Sequence, residues 1–300
     1  MAAHETQDQP SPLLGAPSMI RIRDGRELFT QQLDGPRPTV VFECGAASSR
    51  SFWALVQPVI GEFHHAVVYD RSGLGRSDSA TGSRRLPQLA DDLNDLLDGL
   101  SGEDQGDRRY ILVAHSWGGP LVRLAAATRQ DRIAGLVLVD PADETSSVYY
   151  SKLMERTNGI QRRLFPPLSK TGLLGRLAAA STRAIPESVR ADMRHELHTP
   201  TAVATQIAEA EEMSGDLRAL VESPPDLGDL PVTVISAEKP SGMSKQQRRE
   251  LNEAHRRRAA ASPYGRHVVA EQAGHLIMID RPEIVVGETL RLARDLATQA

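Results

Sequence analysis

Three hundred residues suffice for one elaborated domain, and a hydrophobic share of 40% supplies a sizeable core. A formal net charge of -4 argues against nucleic-acid binding and against an acidic tail, which leaves a small molecule as the expected partner. Cys44 is the single cysteine, so an internal disulfide and a cysteine-based metal cluster are excluded, and a reducing, cytoplasmic setting is expected.

No apolar run approaches the roughly 18 residues of a membrane span. Residues 1–17 lack a basic start followed by an apolar core, so secretion is not expected. They are polar, carry Pro10, Pro12 and Pro17, and read as a flexible tail. Residues 19–23 alternate, Asp24-Gly25 signals a hairpin turn, and residues 27–33 return antiparallel.

Residues 39–42 are a β-branched and aromatic run, as a strand buried on both faces requires, ending in Glu43-Cys44-Gly45-Ala46. Cys44 reads as a small buried residue, since no partner that would activate a thiol is evident. A short helix is expected over residues 52–60, then a second buried strand over 65–69 running into Asp70-Arg71-Ser72-Gly73-Leu74-Gly75-Arg76-Ser77. That turn lacks the Gly-Lys-Ser/Thr ending and the glycine spacing of a phosphate loop, and reads as structural. Leucines at helical spacing over residues 89–100 predict an amphipathic helix.

The stretch that organises the chain follows. Tyr110 to Val113 read as a buried strand, Ala114-His115-Ser116-Trp117-Gly118-Gly119 as a tight turn, and residues 121–128 as an alanine-rich helix. A serine at such a turn is held in a strained conformation with its hydroxyl exposed, and the helix behind it aims free N–H groups and a partial positive charge at the same place. Ser116 is therefore a candidate nucleophile. A fully apolar strand over 133–139 stops at Asp140-Pro141, so strand, helix, strand repeats predict a parallel sheet.

From residue 143 to about 228 the sequence turns arginine-rich and helical, with breaks at Pro166-Pro167, Pro186, Pro200 and Pro224-Pro225. Between Lys152 and Arg183 seven basic residues face one glutamate, which reads as a solvated face in preference to an anion site. His195-Glu196-Leu197-His198 has the wrong spacing for a zinc helix, so no metal is expected. The strand pattern resumes at 231–236, a charged helix spans 245–261, and a last strand over 266–270 leads to Gly274-His275 and a terminal helix over 282–297.

The elbow around Ser116 resembles the G-x-S-x-G nucleophile elbow of the α/β-hydrolase superfamily, with Ala114 in place of the first glycine. The Gly274-His275 pair, after the last strand, matches that superfamily's histidine loop. The Asp70 to Ser77 turn is similar to its D-x-R-G-x-G-x-S turn, with the arginine one place earlier. The resemblance covers roughly residues 19–297 and implies an α/β-hydrolase fold: a mostly parallel central sheet with helices on both faces and a helical cap insertion. It divides the chain into a tail (1–17), a core (18–142 and 229–300) and a cap (143–228). By the same resemblance His275 is the catalytic base, and the N–H groups of Ala46 and Trp117 form the oxyanion hole, with Cys44 where histidine is usual.

A Ser–His pair needs an acid. The usual superfamily position, in a G-x-x-D pattern, aligns with Ala237-Glu238-Lys239-Pro240, where proline replaces the aspartate. Some members take the acid from the end of the strand after the nucleophile helix, where Asp140 stands. Asp140 is preferred, Glu238 is the alternative, and Asp143 and Glu144 remain in play. The implied function is a serine hydrolase that cleaves a carboxylic ester, lactone or thioester of a small to medium hydrophobic substrate without a cofactor. Ser116 excludes the aspartate nucleophile of haloalkane dehalogenases and epoxide hydrolases. Two rivals stay open: the same triad running lyase, cyclisation or acyltransfer chemistry, and a ligand-binding receptor.

Overall fold

The computed structural model describes residues 9–80, 82–101, 109–171, 173–174 and 182–299. Eight strands form one sheet: β1 (Ala16–Arg21), β2 (Glu27–Leu33), β3 (Thr39–Glu43), β4 (Ala66–Tyr69), β5 (Tyr110–His115), β6 (Ile133–Val139), β7 (Val232–Ala237) and β8 (Arg266–Ala270). Their spatial order is β1-β2-β4-β3-β5-β6-β7-β8. The β1·β2 and β2·β4 pairs are antiparallel, and every other pair is parallel. The central strands β3, β5 and β6 are buried along their whole length, which is why their sequences are continuous apolar runs.

Alternate residues of these strands feed two cores, one on each face. Val40, Phe42, Ile111 and Val113 pack with Ile60 of α1 (Gln57–Gly61) and with Val285 and Leu292 of the C-terminal helix Pro282–Gln299. Val41, Leu112 and Ala114 pack with Leu89 and Leu93 of α2 (Leu86–Leu100) and with Leu121 and Val122 of α3 (Gly118–Thr128). This is the α/β-hydrolase arrangement: a mostly parallel sheet, antiparallel at its first edge, with helices on both faces.

Between β6 and β7 the described residues form a short 3-10 turn (Ser147–Tyr150) and three helices, α4 (Lys152–Ser169), α5 (Glu187–Glu196) and α6 (Pro200–Glu222). Ser151 and Thr199 cap α4 and α6 by accepting the N–H groups of Met154 and Ala202. Pro186 and Pro200 mark helix starts. Pro166 and Pro167 do not break α4, contrary to the sequence expectation: the helix runs through both and ends at Ser169. The carbonyls they leave without donors belong to Arg162 and Arg163, both exposed to water.

The N-terminal expectation also needs correction. Residues 1–8 lie outside the described residues, but residues 9–17 are part of the fold. Leu14 is fully buried, the Ser11 N–H donates to Asp192 of α5 at 2.8 Å, the Ser11 carbonyl accepts from Gln31 at 2.8 Å, and β1 begins at Ala16. One leucine and a set of long-range hydrogen bonds order a segment whose own apolar content is low.

Two buried arginines tie the inserted helices to the ends of the strands. Arg50, wholly buried, joins Asp70 to Glu196 of α5. Arg71 joins Glu43, at the end of β3, to Glu209 of α6 at 2.5 and 2.8 Å, and Arg84 meets the same Glu209 at 2.6 Å. The remaining helices are α7 (Lys245–Ala260), the short α8 (Ile277–Asp280) and α9 (Pro282–Gln299).

Candidate active site

β5 ends at His115, and Ser116 adopts φ 52°, a left-handed conformation that an L-residue holds only when its surroundings impose it. The turn is pinned on both sides. The Ser116 N–H donates to the Val139 carbonyl at 3.1 Å, and the Ser116 carbonyl accepts from Gly119 and Ala142 at 2.9 Å each. Glycine is required behind it: a Cβ on Gly118 would meet the Cys44 carbonyl oxygen at 2.7 Å, and one on Gly119 would meet the Pro141 side chain at 2.5 Å. The glycines let α3, β3 and the end of β6 close on the serine. Among the described residues the non-glycine positions with positive φ are Ala47, Ser116, Asp140, Ser241 and Gln272; Ala47, Ser116 and Ser241 line one cavity, and Asp140 meets His275 beside it.

The structure brings three of the expected residues into one hydrogen-bonded chain. His275 Nε2 lies 3.1 Å from Ser116 Oγ, and His275 Nδ1 lies 2.7 Å from Asp140 Oδ2. With Asp140 as acceptor, Nδ1 carries the proton and Nε2 is left to accept one from the hydroxyl. Asp140 is fully buried, and its second oxygen accepts the Ala237 N–H at 3.0 Å and Arg248 Nη1 at 2.6 Å. Burial opposes its charge, but the hydrogen bond from His275, the neighbouring histidines and Arg248 together hold the carboxyl below the usual aspartate range.

Glu238, the alternative acid, is elsewhere: it is exposed and accepts the Gln272 N–H at 2.7 Å. Asp143 and Glu144 are occupied by Arg258 and, for Glu144, by Arg123. Ala46 lines the same cavity as Ser116 and His275, and Trp117 directly precedes α3, so its N–H belongs to the unpaired first donors of that helix. The Trp117 side chain is buried in the core. Cys44 is buried and donates its thiol to the Ser49 carbonyl, and burial pushes that thiol well above its ordinary range.

Several residues that hold this arrangement carry no sequence signal of their own. His115 donates Nε2–H to the His275 carbonyl at 3.0 Å, and the two rings lie 4.6 Å apart between centroids. Burial and the neighbouring His275 push His115 down to about 3, so it is neutral. His255 donates to the Pro141 carbonyl at 2.8 Å and is itself met by Ser236 at 2.8 Å, which steadies the turn after Asp140. Arg71 donates to the Cys44 and Gly45 carbonyls at 2.8 and 2.9 Å, immediately before Ala46. The turn read as structural therefore anchors the loop that carries Ala46. Ser241 accepts the His275 N–H at 3.0 Å.

Ser116 and His275 open onto a cavity of about 460 Å³ whose other walls come from α4, α6 and the start of α7. The model of the alpha/beta hydrolase family matches residues 40–288 of this sequence. This chain belongs to that family. An AB hydrolase superfamily protein of Gibberella zeae is 25% identical over 307 residues, covering 90% of this chain and 92% of that protein. Among solved structures, a thermophilic esterase from Thermogutta terrifontis shares 22% identity at a TM-score of 0.70, covering 94% of this chain and 99% of its own. The epoxide hydrolase CorEH shares 18% identity at a TM-score of 0.74, with coverage of 94% and 99%. At these identities the two structures speak for the α/β-hydrolase fold of this chain. Among the described residues no group of histidine, cysteine, aspartate or glutamate side chains could hold a metal, and no helix is long and apolar enough to cross a membrane.

Proposed function

We propose that this alpha/beta hydrolase is a serine hydrolase that cleaves a carboxylic ester, lactone or thioester of a small to medium hydrophobic substrate. The observation that carries this reading is the chain Ser116 Oγ, His275, Asp140, with its serine facing a largely apolar cavity. In this reading His275 Nε2 takes the Ser116 proton as Oγ attacks the carbonyl carbon. The developing oxyanion lies against the N–H groups of Ala46 and Trp117, aided by the positive end of α3. His275 then protonates the departing alkoxide or thiolate. A water molecule, deprotonated by His275, attacks the acyl-enzyme and releases the acid and free Ser116. Asp140 fixes the imidazole tautomer and stabilises the imidazolium, while α4 to α6 act as the cap over the site.

Ser116 stands where a haloalkane dehalogenase or epoxide hydrolase reaction would need a carboxylate nucleophile, which favours acyl transfer over those chemistries. The test is labelling with a fluorophosphonate followed by peptide mapping. The adduct is expected on Ser116, and Ser116→Ala is expected to lose both label and turnover of 4-nitrophenyl esters while keeping its folded circular dichroism. Wild-type turnover by pure Ser116→Ala would overturn the reading.

A further inference from the structure

The cavity above Ser116 has a wall chemistry that narrows the substrate class, and the argument rests on the serine-hydrolase reading. Among the described residues lining it there is no aspartate, glutamate, lysine or arginine. The basic side chains of α4, Lys152, Arg156, Arg162 and Arg163, do not line it: all are exposed, and Arg162 meets Glu211 at the surface. A charged group entering this space would lose water and gain no counter-ion. The walls are nonetheless not purely apolar. Met154, Phe165, Ile207 and Met213 are interleaved with the amides of Asn158 and Gln161 on α4 and Gln206 on α6.

Two of those amides are committed at one end only. Gln206 donates its amide N–H to the Leu197 carbonyl at 2.8 Å, and Asn158 donates to the Ala210 carbonyl at 3.4 Å. A backbone carbonyl accepts only from the NH2 end, which uses one of its two N–H groups and leaves the carbonyl oxygen, with both lone pairs, as the main group for a ligand. The two helices pack along each other, and both residues line one cavity. An acceptor that is desolvated by a bound substrate and left unmatched is penalised, so such walls select for donors.

We propose that the preferred substrate is an uncharged ester whose body carries hydrogen-bond donors, hydroxyl or amide N–H, received by the oxygens of Gln206 and Asn158. Plain alkyl esters and esters bearing a carboxylate are the poorer members of the class. Gln206 and Asn158 are thus specificity-determining residues on the cap helices, and neither touches the reacting carbonyl.

The test uses the full chain and three 4-nitrophenyl esters of equal length: one with a hydroxyl or amide N–H in the acyl chain, one with a methylene there, and one with a carboxylate. The expected wild-type kcat/KM for the donor ester exceeds that for the alkyl isostere by about tenfold per hydrogen bond made. The carboxylate ester should be the slowest. In Gln206→Leu the ratio of donor to alkyl ester should fall toward one, chiefly through KM. A wild-type ratio of one, or a preference for the alkyl or carboxylate ester, overturns the proposal and leaves the hydrolase standing. Absence of turnover on all three esters, together with no fluorophosphonate adduct on Ser116, would instead overturn the reading beneath it.

Discussion

Asp140 is shared between His275 and Arg248: one carboxylate oxygen accepts from the imidazole at 2.7 Å and the other from the buried guanidinium at 2.6 Å. The Ala237 N–H completes the set on the Arg248 side. A carboxylate with this many donors remains ionised despite full burial, which is the condition for stabilising a protonated imidazole next to it.

The first prediction compares Asp140→Asn with Glu238→Gln. Loss of the aspartate charge in serine proteases lowers turnover by about four orders of magnitude, and a loss of that order is expected for Asp140→Asn. Glu238→Gln removes only an exposed acceptor for the Gln272 N–H and should stay near wild-type turnover. Steady-state kinetics on a 4-nitrophenyl ester decides between them. A crippled Glu238→Gln beside an active Asp140→Asn would mean that the acid has been misplaced.

The second prediction concerns Arg71, which is buried between Glu43 and Glu209 and holds the Cys44 and Gly45 carbonyls. Arg71→Met leaves Glu43 buried without its cation, and losing one partner of a buried pair costs about 3–5 kcal/mol. Glu209 keeps Arg84 and loses less. Because the loop carrying Ala46 also loses its anchor, turnover should fall further than KM rises at temperatures well below unfolding. A variant with normal stability in urea and normal kcat contradicts both assignments.

The parts of the site that were legible in the sequence are those made by short segments. Ser116 sits in a turn between a buried strand and a helix, His275 follows Gly274 after the last strand, and Asp140 ends a fully apolar strand. Each of these is written within about ten residues of chain. The supporting residues are not local. Arg248 reaches Asp140 across 108 positions and Arg71 reaches Glu209 across 138, and no periodicity or turn chemistry connects such pairs. The same limit explains residues 9–17: their low apolar content is real, and what orders them is Ser11 meeting Asp192 far along the chain.

The third prediction is that Cys44 is chemically silent. Its thiol is buried, donates to the Ser49 carbonyl, and is pushed well above its usual range by burial and by Glu43. Native protein should resist iodoacetamide and react only on unfolding. Cys44→Ser keeps a donor for Ser49 and should retain most activity, since the role proposed for this loop belongs to the Ala46 N–H. A loss of about a thousandfold in kcat, the upper end of what one oxyanion-hole donor contributes, would contradict that assignment.

The last prediction is a pH dependence of stability set by His115. Its ring is buried and pushed down to about 3 by burial and by His275, whereas an unfolded histidine titrates near 6.5. Between these values the unfolded chain binds a proton that the folded chain refuses. Stability from this group is therefore complete above about pH 6.5 and is lost as pH falls, by about 1.4 kcal/mol per pH unit. His255, also buried and pushed down, acts with the same sign. The carboxylates held below their usual range, such as Asp140, act from about pH 5 downward, and buried Glu43 and Asp70, held above theirs, act with the opposite sign, so comparison with a variant that does not titrate is what isolates His115. His115→Gln can still donate to the His275 carbonyl but does not titrate. Urea unfolding at pH 6.5 and 4.5 should show a drop for the wild type that is larger than for His115→Gln by roughly 2–3 kcal/mol. Equal drops in the two proteins would mean that His115 is not the buried neutral ring on which the His275 loop rests.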